Sequence, residues 1–274
     1  MTGVLTCALP IYIKGLSGWK LLNKKNQGLK LPPIGINFHG MNMFLPVRNL
    51  KLKIVNLFFK KLVKKNMNRS DFVFSYGSKV TSTILSAGVL ENKIIELPTG
   101  IEKHFMRNKN EIKVNDKLNF LFIGRDDPVK ALKELFISID KFKESDFDFH
   151  FIGPINSNSN KENLKYHGLL TNFSDVIKIL DNTDVLILPS YSEGMPNVIL
   201  EAMSRGLIII ATNVGAVNLM VSKENGILIE SPDPNLIEQA IREILKMKKN
   251  SIDKVNKKYN WNLVIKNLIS LISK

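Results

Sequence analysis

The segment 189–203, PSYSEGMPNVILEAM, holds the residue types with the most chemical capacity in this chain. Two carboxylates, Glu193 and Glu201, stand eight residues apart, so on a helix they sit just over two turns from each other and can address one cleft at different depths. Glu193-Gly194 closes a turn, and Pro196 suits the first turn of a helix because its missing N–H is not needed there. The leading N–H groups of that turn, with the helix dipole behind them, make an anion site. The plain alternative is a surface helix with an acidic first turn. Upstream, Gly124-Arg125 ends the run LNFLFIG, and Lys130 follows five residues later. A forked guanidinium and a point-charge ammonium at one strand end suit a diphosphate. For Lys130 alone, in so lysine-rich a chain, a solvated surface cation is the ordinary reading.

Those residues need elements to hold them. Apolar runs at 34–38, 71–75, 94–98, 118–123, 147–152, 184–188, 207–212 and 226–229 read as strands, several apolar on both faces as in a buried parallel sheet. Between them run helical stripes: Val129, Leu132, Leu135, Phe136, Ile139, Phe142; then Phe173, Val176, Ile177, Leu180; then Leu236, Ile237, Ala240, Ile241, Ile244, Leu245. Strand and helix in alternation predict an α/β fold with parallel sheets and right-handed crossovers. Arg125 and the segment 189–203 then fall at carboxyl strand ends, where open sheets bind ligands. A polar stretch between Thr99 and Lys117 marks a boundary. From Asn119 to Asn250 there is room for a complete doubly wound domain, whereas 12–102 offers three strands, fewer than such a domain has. A last helix is expected at 261–272, with Trp261, Val264, Ile265, Leu268 and Ile272 on one face.

Composition narrows the function classes. The chain has 274 residues, 44% hydrophobic and 23% charged, a globular balance that excludes disorder. No apolar run approaches the roughly 18–20 residues of a membrane-spanning helix. The single cysteine, Cys7, cannot staple the chain to itself, and four scattered histidines exclude a Cys/His zinc site. Both fit a reducing cytoplasm. The net charge of +14 is uneven: residues 1–102 hold 15 Lys and Arg against 4 Asp and Glu, the remainder 24 against 21. A basic half calls for an anionic partner surface, nucleic acid or lipid. Residues 51–65, KLKIVNLFFKKLVKK, set Lys51, Lys53, Lys60, Lys61, Lys64 and Lys65 around Val55, Phe58, Phe59 and Leu62. They suit a helix on an anionic membrane, and equally a core-facing helix with a solvated lysine face.

An ordered set of motifs now adds to this reading: His39-Gly40; Pro98-Thr99-Gly100-Ile101 with Phe105; Gly124-Arg125 with Lys130; Gly153; His167-Gly168; Asp184 to Ser190; Glu193-Gly194 with Glu201-Ala202-Met203 and Gly206; Val214-Gly215-Ala216; Asn225-Gly226; and Trp261. From Pro33 onward the chain resembles the retaining, nucleotide-sugar-dependent glycosyltransferases of family 4. The resemblance implies an α/β protein of GT-B architecture, with two Rossmann-like domains. These are a partial acceptor-side domain at 12–103, a nucleotide-sugar-binding domain at 104–250 and a helix at 251–274 crossing back to the first. It implies transfer of a sugar, with retention, from a nucleoside diphosphate sugar to a glycan or lipid-linked acceptor hydroxyl in cell-surface polysaccharide synthesis, with no cofactor and no metal required.

The implied roles follow residue by residue. Arg125 and Lys130, with the backbone of Gly194, Met195, Asn197 and Val198, would hold the diphosphate. Glu193 would orient the donor sugar as a catalytic residue, Glu201 would hold the ribose diol, and the loops after Gly153 and Gly168 would frame the base. His39 would contact the reacting sugar, with a packed structural histidine as the alternative. Location would be cytoplasmic, peripheral on the inner face of the membrane through residues 51–65. No nucleic-acid partner is expected, because Glu193 and Glu201 would repel a polyanion. A basic nucleic-acid-binding protein and a non-catalytic nucleotide-sugar-binding fragment are the other readings. The chain departs from the family at Ala131, where glycine is usual, at Gly215-Ala216, where a glycine pair is usual, and in lacking the opening strands. Residues 2–11, TGVLTCALPI, resemble the translation of a sequencing adapter, departing at Leu5, so 1–11 is expected to be a non-native leader, with an ordinary short strand as the alternative.

Overall fold

The computed structural model describes residues 5–8, 22, 27–28, 33–37, 44, 50–106, 117–156 and 161–251. His39, the expected 261–272 helix with Trp261, and the rest of the leader lie outside the described residues. The chain divides into two compact units. The first comprises the residues up to Thr99 with Ser192–Met195 and Val214–Leu219, and the second comprises Gly100–Tyr191, Pro196–Asn213 and the residues from Met220.

The first unit carries a parallel sheet of four strands in the order β1 (Leu5–Ala8), β2 (Ile34–Asn37), β3 (Phe72–Ser75), β4 (Ile94–Glu96). Within the expected leader, Leu5–Ala8 runs as a strand in register with β2, Leu5 opposite Ile34. Helices α1 (Leu50–Arg69) and α2 (Ser78–Ser86) flank β3 in sequence. The core joins Ile34, Ile36 and Val73 of the sheet to Val63 and Met67 of α1 and Val80 and Ile84 of α2. Asp71 closes the amino end of the ladder: its carboxylate accepts the Ile34 N–H at 2.6 Å while its own N–H donates to Ile34 O.

The lysine-rich helix differs from the stripe read in its sequence. Phe59, Val63 and Met67, spaced by four, form the face against the core, whereas Val55 and Phe58 point outward. Helical spacing puts Ile54, Leu57 and Phe58 together as an exposed ridge, 64%, 70% and 67% accessible. One helix thus serves the core with one face and presents apolar side chains to solvent on another.

The second unit carries six parallel strands: β5 (Leu118–Ile123), β6 (Phe147–Ile152), β7 (Leu164–Tyr166), β8 (Val185–Leu188), β9 (Ile208–Thr212) and β10 (Gly226–Ile229), ordered β10-β9-β8-β5-β6-β7. The chain leaves β5 in one direction through β6 and β7, then returns to start again at β8. That reversal is a topological switch point, and it lies between β5 and β8. Helices α3 (Leu132–Ile139), α4 (Phe173–Asp181) and α5 (Asn197–Ser204) connect strands, and α6 (Pro234–Ser251) follows β10. Phe120, Phe122, Phe147, Phe149 and Phe151 line one face of β5 and β6, each fully buried, beneath α3 and α6. Burying each phenyl contributes on the order of 2–3 kcal/mol. Between them Asp148 and His150 face the other side, so β6 alternates as a half-exposed strand does. At its amino end the sheet is closed as in the first unit: Asp184 accepts the Asn119 N–H at 2.8 Å and returns its own N–H to Asn119 O.

Candidate functional site

Gly124-Arg125 and the segment leading to α5 follow β5 and β8, the two strands that flank the switch point. Beyond β5 the chain turns at Gly124-Arg125, passes a short 3-10 turn at Pro128–Lys130, and enters α3. Asp127 caps that turn, accepting the Val129 N–H at 2.9 Å. Beyond β8 the chain reaches Tyr191, whose N–H donates to Val129 O at 2.8 Å and whose phenol donates to Glu134 at 2.9 Å. The loops after the two central strands are therefore tied together, one residue from Lys130. The Lys130 stem lies over Gly124, its Cδ 3.8 Å from where a Cβ on that glycine would stand. Arg125 is exposed and Lys130 half-buried. Ala131 adopts φ 53°, ψ 38°, the left-handed region, which explains why glycine is the usual residue there. The alanine costs on the order of 1 kcal/mol.

Backbone approach at this edge is unusually close. Gly153, just past β6, has φ 136°, and a Cβ on it would stand 1.8 Å from Gly124 O. Gly124 N–H donates to Ile152 O, and Gly153 N–H to Gly168 O. Three strand ends are thereby drawn together, and only a residue without a side chain fits between them.

Helix α5 opens with Pro196 as its N-cap at φ −72°, ψ 117°, one position ahead of the first turn in which the sequence placed it. Ile199 N–H donates to Pro196 O at 3.1 Å, so the N–H groups of Asn197 and Val198 lead the helix. Glu201 lies one turn further, half-buried. Burial first, and then the Glu102 carboxylate, push the Glu201 carboxyl above the ordinary carboxylate range, while His104 opposes them.

Glu193, Gly194 and Met195 belong to the first unit. There Gly194 O accepts the Ala216 N–H at 2.8 Å, and Met195 sulfur accepts the Thr99 N–H at 3.3 Å. Gly215 has φ 57°, and a Cβ on it would meet Glu193 O at 2.2 Å, so the turn at 214–216 fits against the 193–194 backbone only as glycine. This explains Gly215 physically, and Ala216 beside it is fully buried in the first unit's core. Arg125, Lys130, Asn197, Val198 and Glu201 fall in the second unit, and Glu193, Gly194 and Met195 in the first.

Sequence reasoning named Gly100, Ile101 and Phe105 as motif residues but did not join the segment Gly100–Met106 to α5, the helix that carries Glu201. Phe105 is buried, and its carbonyl accepts from Ser204 Oγ at 2.9 Å. Arg205 grips Asp181 with two hydrogen bonds, Nε at 2.7 Å and Nη2 at 2.5 Å, joining α5 to α4. Among the described residues, no group of three or more His, Cys, Asp or Glu is placed to hold a metal ion.

Residues 117–247 match the family Glycosyl transferases group 1. An uncharacterized glycosyltransferase of Methanocaldococcus jannaschii is 30% identical over 242 residues, 85% of this chain and 62% of that protein. The N,N'-diacetylbacillosaminyl-diphospho-undecaprenol α-1,3-N-acetylgalactosaminyltransferase of Campylobacter jejuni is 25% identical over 76% of this chain and 57% of its own length. Among solved structures, HepE of Anabaena in complex with UDP superposes with a TM-score of 0.61 at 13% identity, over 88% of this chain and 72% of that one. The likeness shows the GT-B fold. The chain spans less than two thirds of the two sequence relatives.

Proposed function

We propose, from the match of residues 117–247 to the group 1 glycosyltransferases, that the chain is a member of that family and transfers a sugar from a nucleoside diphosphate sugar to a hydroxyl of a glycan or lipid-linked acceptor. The observation that carries this reading is the switch point of the second unit. The loops after β5 and β8, bound to each other through Val129 and Tyr191, present two cations and a helix start, followed one turn later by a half-buried carboxylate. Arg125 and Lys130 neutralise the leaving diphosphate, and the N–H groups of Asn197 and Val198 add hydrogen bonds to it. Glu201 accepts both hydroxyls of the nucleotide ribose with its two oxygens. Glu193 has the role of orienting the donor sugar in this proposal, and the backbone of Gly194 and Met195 that of binding its diphosphate. His39 contacts the reacting sugar. Protein cations at the diphosphate remove the need for a metal, and transfer proceeds with retention.

The acceptor side fits the same reading. The Campylobacter relative is named for a diphospho-undecaprenol acceptor, and α1 presents Ile54, Leu57 and Phe58 beside the exposed Lys53, Lys61, Lys64 and Lys65. An apolar ridge flanked by cations suits the anionic cytoplasmic leaflet, each cation near the surface contributing about 1 kcal/mol. Among the described residues, no helix is long and apolar enough to cross a membrane.

The test is nucleotide binding by the full chain, followed by thermal shift with UDP, GDP and ADP. One of the three raises the melting temperature, EDTA leaves that rise intact, and Glu201→Ala removes it. No stabilisation by any of them refutes the donor site.

A further inference from the structure

Two consecutive residues in the turn from β3 into α2 have left-handed backbone, Gly77 at φ 92° and Ser78 at φ 51°. Glycine adopts that conformation freely, whereas serine does so only where its surroundings hold it. A relay of hydroxyls ties the turn down. Gly77 N–H donates to the buried Ser75 Oγ at 3.0 Å, Ser75 and Thr81 share a 2.7 Å hydrogen bond, and Thr81 Oγ1 donates to Glu96 Oε1 at 2.5 Å. With Thr81 donating to the carboxylate, Ser75 is the donor to Thr81. The turn then aims Ser78 Oγ at a residue 140 positions away, and it donates to Asn218 Oδ1 at 2.7 Å. Leu219, beside Asn218, keeps Gly77 small: a Cβ on that glycine would stand 2.9 Å from Leu219 Cδ1.

Asn218 and Leu219 lie in the 3-10 turn Val217–Leu219, and from there the contacts run to Glu193 through backbone. Leu219 N–H donates to Ala216 O and Val217 N–H to Val214 O, each at 3.1 Å, while Ala216 N–H donates to Gly194 O at 2.8 Å. Gly215 approaches so closely that a Cβ on it would meet Glu193 O at 2.2 Å. Every residue in this series belongs to the first unit. We propose that Ser78 and Asn218 are positioning residues for Glu193: their hydrogen bond fixes the 214–219 turn, and through Gly215 and Ala216 it sets where the Glu193 carboxylate meets the donor sugar. The inference rests on the reading of Glu193 as the residue that orients that sugar. Strained backbone at a residue other than glycine persists where the surrounding structure enforces it, and such strain collects at functional sites. The plain alternative is that the buried Ala216 anchors the turn alone and the Ser78 hydroxyl makes an idle surface contact.

The experiment compares the full chain as wild type, Ser78→Gly, Asn218→Ala, Asn218→Asp, Glu193→Gln, and Ser78→Gly combined with Glu193→Gln. The probes are UDP-glucose, UDP-galactose and GDP-mannose, and the readout is release of the nucleoside diphosphate. Ser78→Gly and Asn218→Ala each lower kcat about threefold to tenfold and leave KM within about threefold, the effect of one hydrogen bond on a group that acts in the transition state. Asn218→Asp recovers the loss, because its carboxylate oxygen accepts from the same hydroxyl. Ser78→Gly has no further effect where Glu193 is already glutamine. Its melting temperature stays within about 3 °C of wild type, since glycine relieves the left-handed φ while loosening the unfolded chain. A kcat of Ser78→Gly within about twofold of wild type overturns the inference, as does an equal loss in the Glu193→Gln background. A loss that Asn218→Asp shares, with a lowered melting temperature, marks a merely structural contact and overturns it too. Equal turnover in wild type and Glu193→Gln fails the reading of Glu193 instead. Should none of the probes turn over, amide exchange at Ala216 decides: exchange faster by about threefold or more in Ser78→Gly and Asn218→Ala supports the hold on the turn, and unchanged exchange overturns it.

Discussion

Gly153→Ala is the sharpest test of how the switch point is built. The new methyl would stand 1.8 Å from Gly124 O and 2.9 Å from Gly124 C, against backbone rather than a yielding side chain. An ordinary contact needs about 1.5 Å more, and a close-packed interior does not open by that much without loss. The φ of 136° adds its own cost, since an L side chain rarely adopts it. Overpacking costs about 1–3 kcal/mol and the backbone conformation about 1–3 kcal/mol, so about 3 kcal/mol together is a central expectation. For a unit of this size that lowers the melting temperature by about 6–12 °C. Gly168→Ala is the control: its φ is 67°, and a Cβ there meets nothing within 4 Å. It carries the backbone term alone, about 1 kcal/mol. Calorimetric melting of both variants decides the matter. Prying β6 from β5 also displaces the turn that leads into Arg125, so nucleotide affinity falls at least tenfold in Gly153→Ala and stays near wild type in Gly168→Ala. Melting temperatures of the two variants within about 2 °C of each other refute the close-approach argument.

Glu201→Ala weakens nucleotide binding, whereas Glu193→Ala leaves it within a few-fold and depresses turnover; titration and initial rates separate the two, and equal effects on both would contradict the assigned roles. Leu57→Glu with Phe58→Glu abolishes sedimentation with vesicles rich in phosphatidylglycerol while the melting temperature stays within about 2 °C, because both side chains are solvent-exposed. The third expectation concerns acid. His150 Nδ1 and His167 Nε2 share a 2.8 Å hydrogen bond. Burial first, then His167 and Lys165, hold the His150 imidazole at about 4, against the ordinary 6.5, with Asp148 opposing. The folded protein therefore binds fewer protons than the unfolded chain in that window, and stability falls as pH drops from about 6.5 toward 4. Urea midpoints at pH 7 and 4.5 should converge in His150→Asn, and an unchanged gap would remove His150 as the cause.

The sequence by itself determined the strands at 118–123, 147–152 and 226–229, because a hydrophobic run of strand length between turn residues is a local signal. It also singled out Arg125, Lys130 and the 193–201 segment as candidates for chemistry, because strand, turn and helix start follow one another directly along the chain. It did not mark Leu164–Tyr166, a three-residue strand whose pairing with β6, rather than its composition, makes it one. It gave α1 one apolar stripe, where packing selected Phe59, Val63 and Met67 for the core and left Leu57 and Phe58 outside, a choice that depends on which sheet the helix lies against. Glu193 and Glu201 belong to one sequence motif, yet Gly215 and Ala216 draw Glu193–Met195 into the first unit while Glu201 stays in the second. The rings of His104, Phe105 and Phe173 meet in one cluster, joining positions 104 and 173, which are far apart in the sequence. Periodicity records what a residue needs from its neighbours in sequence. Which residues meet across 70 or 100 positions is set by packing that a single sequence does not display.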